Sequence, residues 1–419
     1  MNYKESMEYL KRSRRFGSRP GLERITELCE RLGNPQEGLR FIHVTGTNGK
    51  GSVCSMLYST LRFAGMKVGL FTSPYMLDFS ERFICSGVNI TRDEIASIVT
   101  EVAEKADLME DTPTEFELLT AMSFLFFRKR ECDIIVYEAG MGGRLDSTNI
   151  IPSPDVAVIT GIALDHTEVL GSTVADIAFE KAGIIKPGSK VVCGEMPEEA
   201  AEVIRRKAAE VGAPVTFAGR GTSYEVTERT FSENGASFSM GERTGFSLPL
   251  AGLYQFANAS VAIAVLDSLD ICGKKLPDLI IKKGLARAKW RGRFELFRPD
   301  PVMIFDGGHN PQGVMAVAQS LAVYYPDRKF TVISGVMGDK DHSEMCRIMS
   351  QFAIRAYTVT PDNPRAMDAK AYAKELCEYG IDATPCDSME DALALVTDKD
   401  TIVLGSLYMY KQFIEALGD

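Results

Sequence analysis

A chain of 419 residues, 45% hydrophobic and 25% charged, has the composition of a globular protein with two or three domains and an ample core. Its net charge of −10 argues against a nucleic-acid-coating surface, so no nucleic-acid partner is expected and anionic substrates must be met by local basic groups. The charged N-terminus (Lys4, Glu5, Lys11, Arg12) is no secretory leader, and no stretch reaches the roughly 18 apolar residues of a membrane span. Nine singly scattered cysteines without a C-x-x-C pair fit a reducing cytoplasm.

Residues 1–40 read as two helices joined by a basic loop from Arg14 to Arg24, either a solvated cap or a lip over a substrate site. Residues 41–44 are an apolar run that predicts a short buried strand. Gly46, Gly49 and Gly51 then surround Lys50, and residues 52–63 predict a helix. Strand, glycine loop and helix form a phosphate-binding layout, in which backbone N–H groups and the helix N-terminus face an anion. Thr47, Asn48, Gly49, Lys50, Gly51 and Ser52 are therefore the candidate nucleotide loop. Lys50 supplies charge to the outer phosphates, and Ser52 is the candidate hydroxyl for a metal ion. The match departs from the common pattern: Val44 stands at the first glycine position, and Gly51 separates Lys50 from Ser52. A glycine-rich loop alone is often only a tight turn; Lys50 and the flanking elements favour nucleotide binding.

Residues 67–72 predict a second strand ending in Ser73-Pro74-Tyr75, followed by a loop to Glu81-Arg82. Ligands collect at carboxyl ends of strands in open α/β sheets, so Ser73 is placed for a metal or phosphate; a plain Ser-Pro turn is the competing reading. Residues 91–130 predict two helices, the first opened by a capping box of Thr91 and Glu94. Residues 134–137 predict a buried strand that ends at Glu138, where an acid holds the metal of a phosphate-loop enzyme. A glycine loop with Arg144 follows. After another strand at 156–160 come Asp165-His166; magnesium prefers oxygen ligands, so His166 reads from its chemistry as a hydrogen-bonding residue. Lys181 reads as an ordinary helix-surface lysine. A helix at 198–211, a small β-hairpin unit at about 220–250 and an apolar helix from about 250 follow. Trp290-Arg-Gly-Arg-Phe-Glu295 reads as a hinge in which Arg291 and Arg293 could simply be solvated. Strands at 302–305, 330–334, 356–359 and 401–404, with helices between them, predict a smaller doubly wound unit. There Asp306 could hydrogen-bond a ribose and His309 could pack near a base.

Several of these stretches resemble the folylpolyglutamate synthase/dihydrofolate synthase family within the Mur ligase superfamily. They are Thr45-Gly-Thr-Asn-Gly-Lys-Gly-Ser52, the Thr72-Ser-Pro74 and Glu81-Arg82 pair, and the run from Glu138 to Asn149 (E-A-G-x-G-G-R-x-D-x-T-N). Further matches are Asp165-His166 with Leu170-Gly171, Glu180-Lys-Ala-Gly-Ile184, the L-x-G-x-x-Q-x-x-N-A pattern ending at Asn258-Ala259, Trp290-x-Gly-Arg293 and Asp306-Gly-x-His-Asn-Pro311. The resemblance spans nearly the whole chain. It implies magnesium ligation by Ser73 and Glu138, a second magnesium at His166, and carbamylation of Lys181 by CO₂, which needs the free amine. It also implies nucleotide contacts from Asn258 and Arg293, and it places Lys50, Lys181, His166 and Arg82 among the catalytic residues. Tyr75 and Tyr254 stand where many members have His.

The expected fold is α/β: a P-loop ATP-binding domain with a mostly parallel sheet (1–290, carrying the hairpin unit) and a smaller doubly wound C-terminal domain (291–419). The expected function is ATP-dependent amide ligation of L-glutamate to dihydropteroate or a reduced folate through an acyl phosphate. The second domain closes over the reaction to exclude water. A monomeric cytoplasmic enzyme using ATP, Mg²⁺ at two sites and small-molecule substrates follows. The alternatives are a UDP-muramoyl peptide ligase, a partner-stimulated NTPase switch and a non-catalytic nucleotide binder.

Overall fold

The structure is a computed structural model that describes residues 1–14, 17, 19–232, 235–271 and 273–418. Its contacts divide the chain into two units, Met1–Val226 with Ala257–Ala288, and Thr227–Phe256 with Lys289–Asp419. The second boundary falls between Ala288 and Lys289. The hairpin region, expected in the first domain, groups instead with the C-terminal unit, because its apolar face packs there: Phe238 lies 5.8 Å from Phe256, and Phe231 lies 5.1 Å from Tyr324. No helix among the described residues is long and apolar enough to cross a membrane.

The first unit is built on an eight-stranded sheet. Its strands are β1 (Phe41–Thr45), β2 (Val68–Phe71), β3 (Phe83–Cys85), β4 (Val88–Asn89), β5 (Ile134–Glu138), β6 (Val156–Ile159), β7 (Lys190–Cys193) and β8 (Val215–Phe217). The order is β4-β3-β2-β5-β1-β6-β7-β8. The strands from β2 to β8 across this order are parallel, and β3 and β4 add an antiparallel edge. Every residue of β1, β2, β5 and β6 is buried, as expected of parallel strands covered on both faces. One face packs an aromatic group in which Tyr137 touches Phe71 at 4.9 Å and Phe41 at 5.3 Å, and its hydroxyl bonds Ser123 at 2.7 Å.

The two N-terminal helices, Tyr3–Ser13 and Glu23–Arg31, lie on this unit. Arg15, Phe16 and Ser18 of the basic loop lie outside the described residues. The loop's other arginines are paired: Arg14 with Glu115 (2.8 Å), Arg19 with Asp111 (2.9 Å) and Arg24 with the buried Glu117 (3.0 Å). Arg24 and Glu117 are both nearly enclosed, so they anchor the helix and are not a solvated surface.

The second unit has a three-stranded sheet, β9 (Val226–Ser232), β10 (Gly235–Met240) and β11 (Arg243–Leu248), in the order β11-β10-β9. Its main sheet has six strands: β12 (Glu295–Pro299), β13 (Val302–Asp306), β14 (Phe330–Ser334), β15 (Ala353–Thr358), β16 (Asp382–Pro385) and β17 (Thr401–Leu404). The order is β12-β13-β17-β14-β15-β16, parallel except for β12. The α/β class and the smaller second α/β unit are those expected from the alternation of apolar runs and helical segments.

Candidate active site

In the first unit the carboxyl ends of β1, β2, β5 and β6 carry the motifs. β1 ends at Thr45, and Gly46 turns the chain with φ +151°, a conformation that suits glycine. A methyl group there would overlap the Thr160 hydroxyl at the end of β6. That hydroxyl in turn donates to Asn48 O at 2.6 Å. Thr47 is pinned by its amide to Gly161 O (2.9 Å) and by its hydroxyl to Ala163 O (3.1 Å). The helix Lys50–Phe63 starts two residues earlier than the sequence suggests, capped by Gly49 with φ +85°. Lys50 Nζ folds over its own loop, 3.0 Å from Gly46 O and 3.3 Å from Thr47 O. Asn258, from the helix Tyr254–Ser268, sets its Oδ1 directly over the Gly49 Cα, where any side chain would collide. Two motifs far apart in sequence thus meet at one loop.

Ser52 Oγ is buried with no hydrogen-bond partner among the described residues. Glu138, 3% exposed, accepts from the Ser73 amide at 3.2 Å, so these two candidate ligands are neighbours. All three offer hard oxygen donors of the kind magnesium takes. Among the described residues no three His, Cys, Asp or Glu side chains gather into a metal cage. Arg82 stacks over Tyr75, its guanidinium carbon 5.2 Å from the ring centroid. His166 is a half-exposed residue in left-handed conformation (φ +51°), with Nε2 4.0 Å from Asp165 Oδ1.

Lys181 departs from its ordinary reading. It is 3% exposed, not on a helix surface, although it lies on the helix Val174–Ala182. Burial, helped by the nearby Lys50 charge and opposed by Asp165 and Asp146, draws its amine down to about 7. The glycine-arginine run explains how it is held. Arg144 clasps Glu180 at 2.8 Å, and the Arg144 amide donates to Glu180 O at 2.7 Å. The side-chain Nδ2 of Asn149 donates to Arg144 O (3.1 Å) and Gly183 O (3.0 Å). A methyl on Gly143 would sit 2.9 Å from Glu180 O and 3.0 Å from Lys181 O, and one on Gly183 would overlap Arg144 itself. Two glycines therefore let two backbones touch, and the motif run is in large part a latch on the lysine-bearing helix. Asp146 closes the loop internally by accepting from the Met141 and Thr148 amides (2.8 and 3.0 Å).

In the second unit, Arg293, Asp306 and His309 also come together. Gly307 brings them close: a methyl there would sit 2.6 Å from an Arg293 guanidinium nitrogen. His309 Nδ1 bonds Gly307 O at 2.9 Å, while Arg291 is exposed. Asp306 does not present itself to a ribose in this structure. It is 2% exposed, and its oxygens accept from Tyr254 Oη (2.5 Å), Gly308 N (2.7 Å) and Phe294 N (2.8 Å). Burial raises its carboxyl, against the pull of Arg293 and these donors.

Reading the residues one by one missed Thr160, Asp165, Glu180 and Gly183. Their positions at strand ends or beside Lys181 were visible, but their partners lie far along the chain.

Comparison with known proteins agrees with this geometry. Residues 44–266 match the model of the Mur ligase middle domain, and residues 292–406 that of the Mur ligase, glutamate ligase domain. The dihydrofolate synthase/folylpolyglutamate synthase of Bacillus subtilis (strain 168) is 33% identical over 433 residues, covering 97% of each chain. The folylpolyglutamate synthase of Mycobacterium tuberculosis, solved with ADP and AMPPCP, superposes with a TM-score of 0.91 at 29% identity, over 100% of this chain and 99% of that one. An FPGS–AMPPCP–folate complex gives a TM-score of 0.85 at 31% identity over 100% of both chains. With a phosphate loop, the lysine latch and full-length likeness all in agreement, the chain belongs to the folylpolyglutamate synthase/dihydrofolate synthase family of Mur ligases.

Proposed function

We propose that this chain joins L-glutamate to the carboxylate of dihydropteroate or a reduced folate, with ATP cleaved to ADP and phosphate. It is an ATP-dependent ligase that forms amide bonds. The observation that carries the reading is the convergence of the glycine loop, Ser73, Glu138 and the buried Lys181 at one edge of a parallel sheet.

The roles follow from position. Amides of Thr47 to Ser52 and the Lys50 ammonium take the ATP phosphates, and Asn258 orients them beside Gly49. Magnesium, held by Ser52, Ser73 and Glu138, would neutralise phosphate charge. A substrate carboxylate oxygen attacks the γ-phosphorus and ADP leaves; the glutamate amine then attacks the acyl carbon and phosphate leaves. Arg82 supplies a cation near the acyl phosphate, and the chain's main contributions are position and fixed charge. Lys181, drawn down to about 7, exists in substantial part as the free amine near neutral pH. Carbamylation, in which that free amine adds to CO₂ and releases a proton, would leave an anion at this position, and with His166 it would hold a second magnesium that neutralises phosphate charge. In the second unit Arg293 and His309 are assigned to the nucleotide, and Asp306 to holding them in place. The enzyme is assigned as a cytoplasmic monomer.

The test is ADP release with ATP, magnesium and glutamate, comparing no acid, dihydropteroate and tetrahydrofolate, with products identified by mass. A product heavier by one glutamyl unit from either acid is expected, and which acid reacts sets the preference. ATP binding without release on both acids, or turnover of a UDP-linked acid instead, would overturn the reading.

A further inference from the structure

Away from the ligase site, two thiols face each other. Cys85 on β3, opposite Gly69 of β2, has its Sγ 3.3 Å from the Sγ of Cys132, which lies just before β5. Both are free. Cys85 is buried and Cys132 half-buried, so it is Cys132 that meets solvent. Lys67 and Arg130 place positive charge on it, although each is also engaged, Lys67 with Glu131 at 3.9 Å and Arg130 with Glu94 at 2.8 Å. Ser86 adds a hydrogen bond to Cys85, and Asp133 faces Cys132.

We propose that Cys85 and Cys132 are an oxidation site, a thiol pair that hydrogen peroxide converts to a reversible disulfide. The hydrogen bond from Cys132, then the Lys67 and Arg130 cations, draw the Cys85 thiol down to about 7 against its burial, while Cys132, which keeps the shared proton, is pushed up. The thiolate is the nucleophile in such chemistry. By contrast, burial pushes Cys29, Cys193 and Cys346 up to about 12. The thiolate sulfur displaces hydroxide from hydrogen peroxide and becomes a sulfenic acid; the hydroxide takes a proton and leaves as water. The second thiol attacks the sulfenic sulfur, the S–O bond breaks, and a second water leaves. Two thiols and one peroxide give one disulfide and two waters, with two electrons passing from sulfur to peroxide. The bond ties antiparallel strand β3, across β2, to the root of β5, whose far end carries Glu138.

The full chain, reduced and desalted, would be treated with hydrogen peroxide, alkylated, digested with trypsin without reductant and mapped by mass. Cleavage after arginine separates the two thiols onto residues 83–92 and 131–144. The expected product is those two peptides joined, lighter by two hydrogens than their sum, and released by dithiothreitol. In Cys132→Ser, Cys85 has no resolving thiol and should instead be trapped by dimedone as a sulfenic acid. Both cysteines alkylated after treatment, or either joined to Cys377 instead, would overturn the proposal.

Discussion

Replacing Lys181 by methionine keeps its length and removes its titration, which makes the buried amine's cost measurable. In the unfolded chain the lysine titrates at its ordinary 10.5; in the fold, burial draws it down to about 7. The unfolded state therefore binds more protons between these values, and wild-type stability must rise with pH there. The excess bound proton grows from about one half at pH 7 to nearly one at pH 9, and at 1.36 kcal/mol per proton and pH unit this sums to about 2 kcal/mol. Below pH 7 both states are protonated and the full penalty stays. Urea unfolding of wild type and Lys181→Met in buffers freed of carbon dioxide, at pH 7 and pH 9, reads the double difference. Wild type should gain about 2 kcal/mol on the variant as the pH rises. Parallel curves for the two proteins would show that Lys181 keeps its ordinary basicity when folded, and would remove the free amine from the mechanism.

Other positions give independent checks. Gly49→Ala meets both a positive φ and the Asn258 amide, so it should lose AMPPCP binding by calorimetry and about 1–2 kcal/mol of stability; wild-type affinity would refute the close approach. Gly183→Ala drives a methyl into Arg144, and turnover should fall steeply while urea stability drops by about 1–3 kcal/mol; an unchanged rate would mean that the latch does not position Lys181. Tyr254→Phe removes a donor from buried Asp306 and should cost about 1–3 kcal/mol in chemical unfolding, with an unshifted midpoint counting against Asp306 as an internal anchor.

The strands and their ends were legible because parallel, doubly covered strands must be continuous apolar runs, as 41–44, 134–137 and 302–305 are. The capping box at Thr91 and Glu94 formed as the local pattern required, because its partners lie three residues apart. The edge strands β3 and β4 went unread, since a few residues without a sustained alternation carry no period. The hairpin unit was recognised, but its allegiance was not, because that depends on which side chains Phe231 and Phe238 meet.

The sequence by itself determined the long apolar strands, the glycine loop and the family, since each rests on residues adjacent along the chain. Only the tertiary structure decided what those residues touch. Lys181 looks like a surface lysine until the Gly143-Arg144 backbone is seen against Glu180, and its lowered basicity is a property of that burial. Asp306 looks like a ribose ligand until Tyr254, Phe294 and Gly308 occupy its oxygens. Exposure and proton affinity are set by neighbours brought from distant sequence, and no local pattern encodes them.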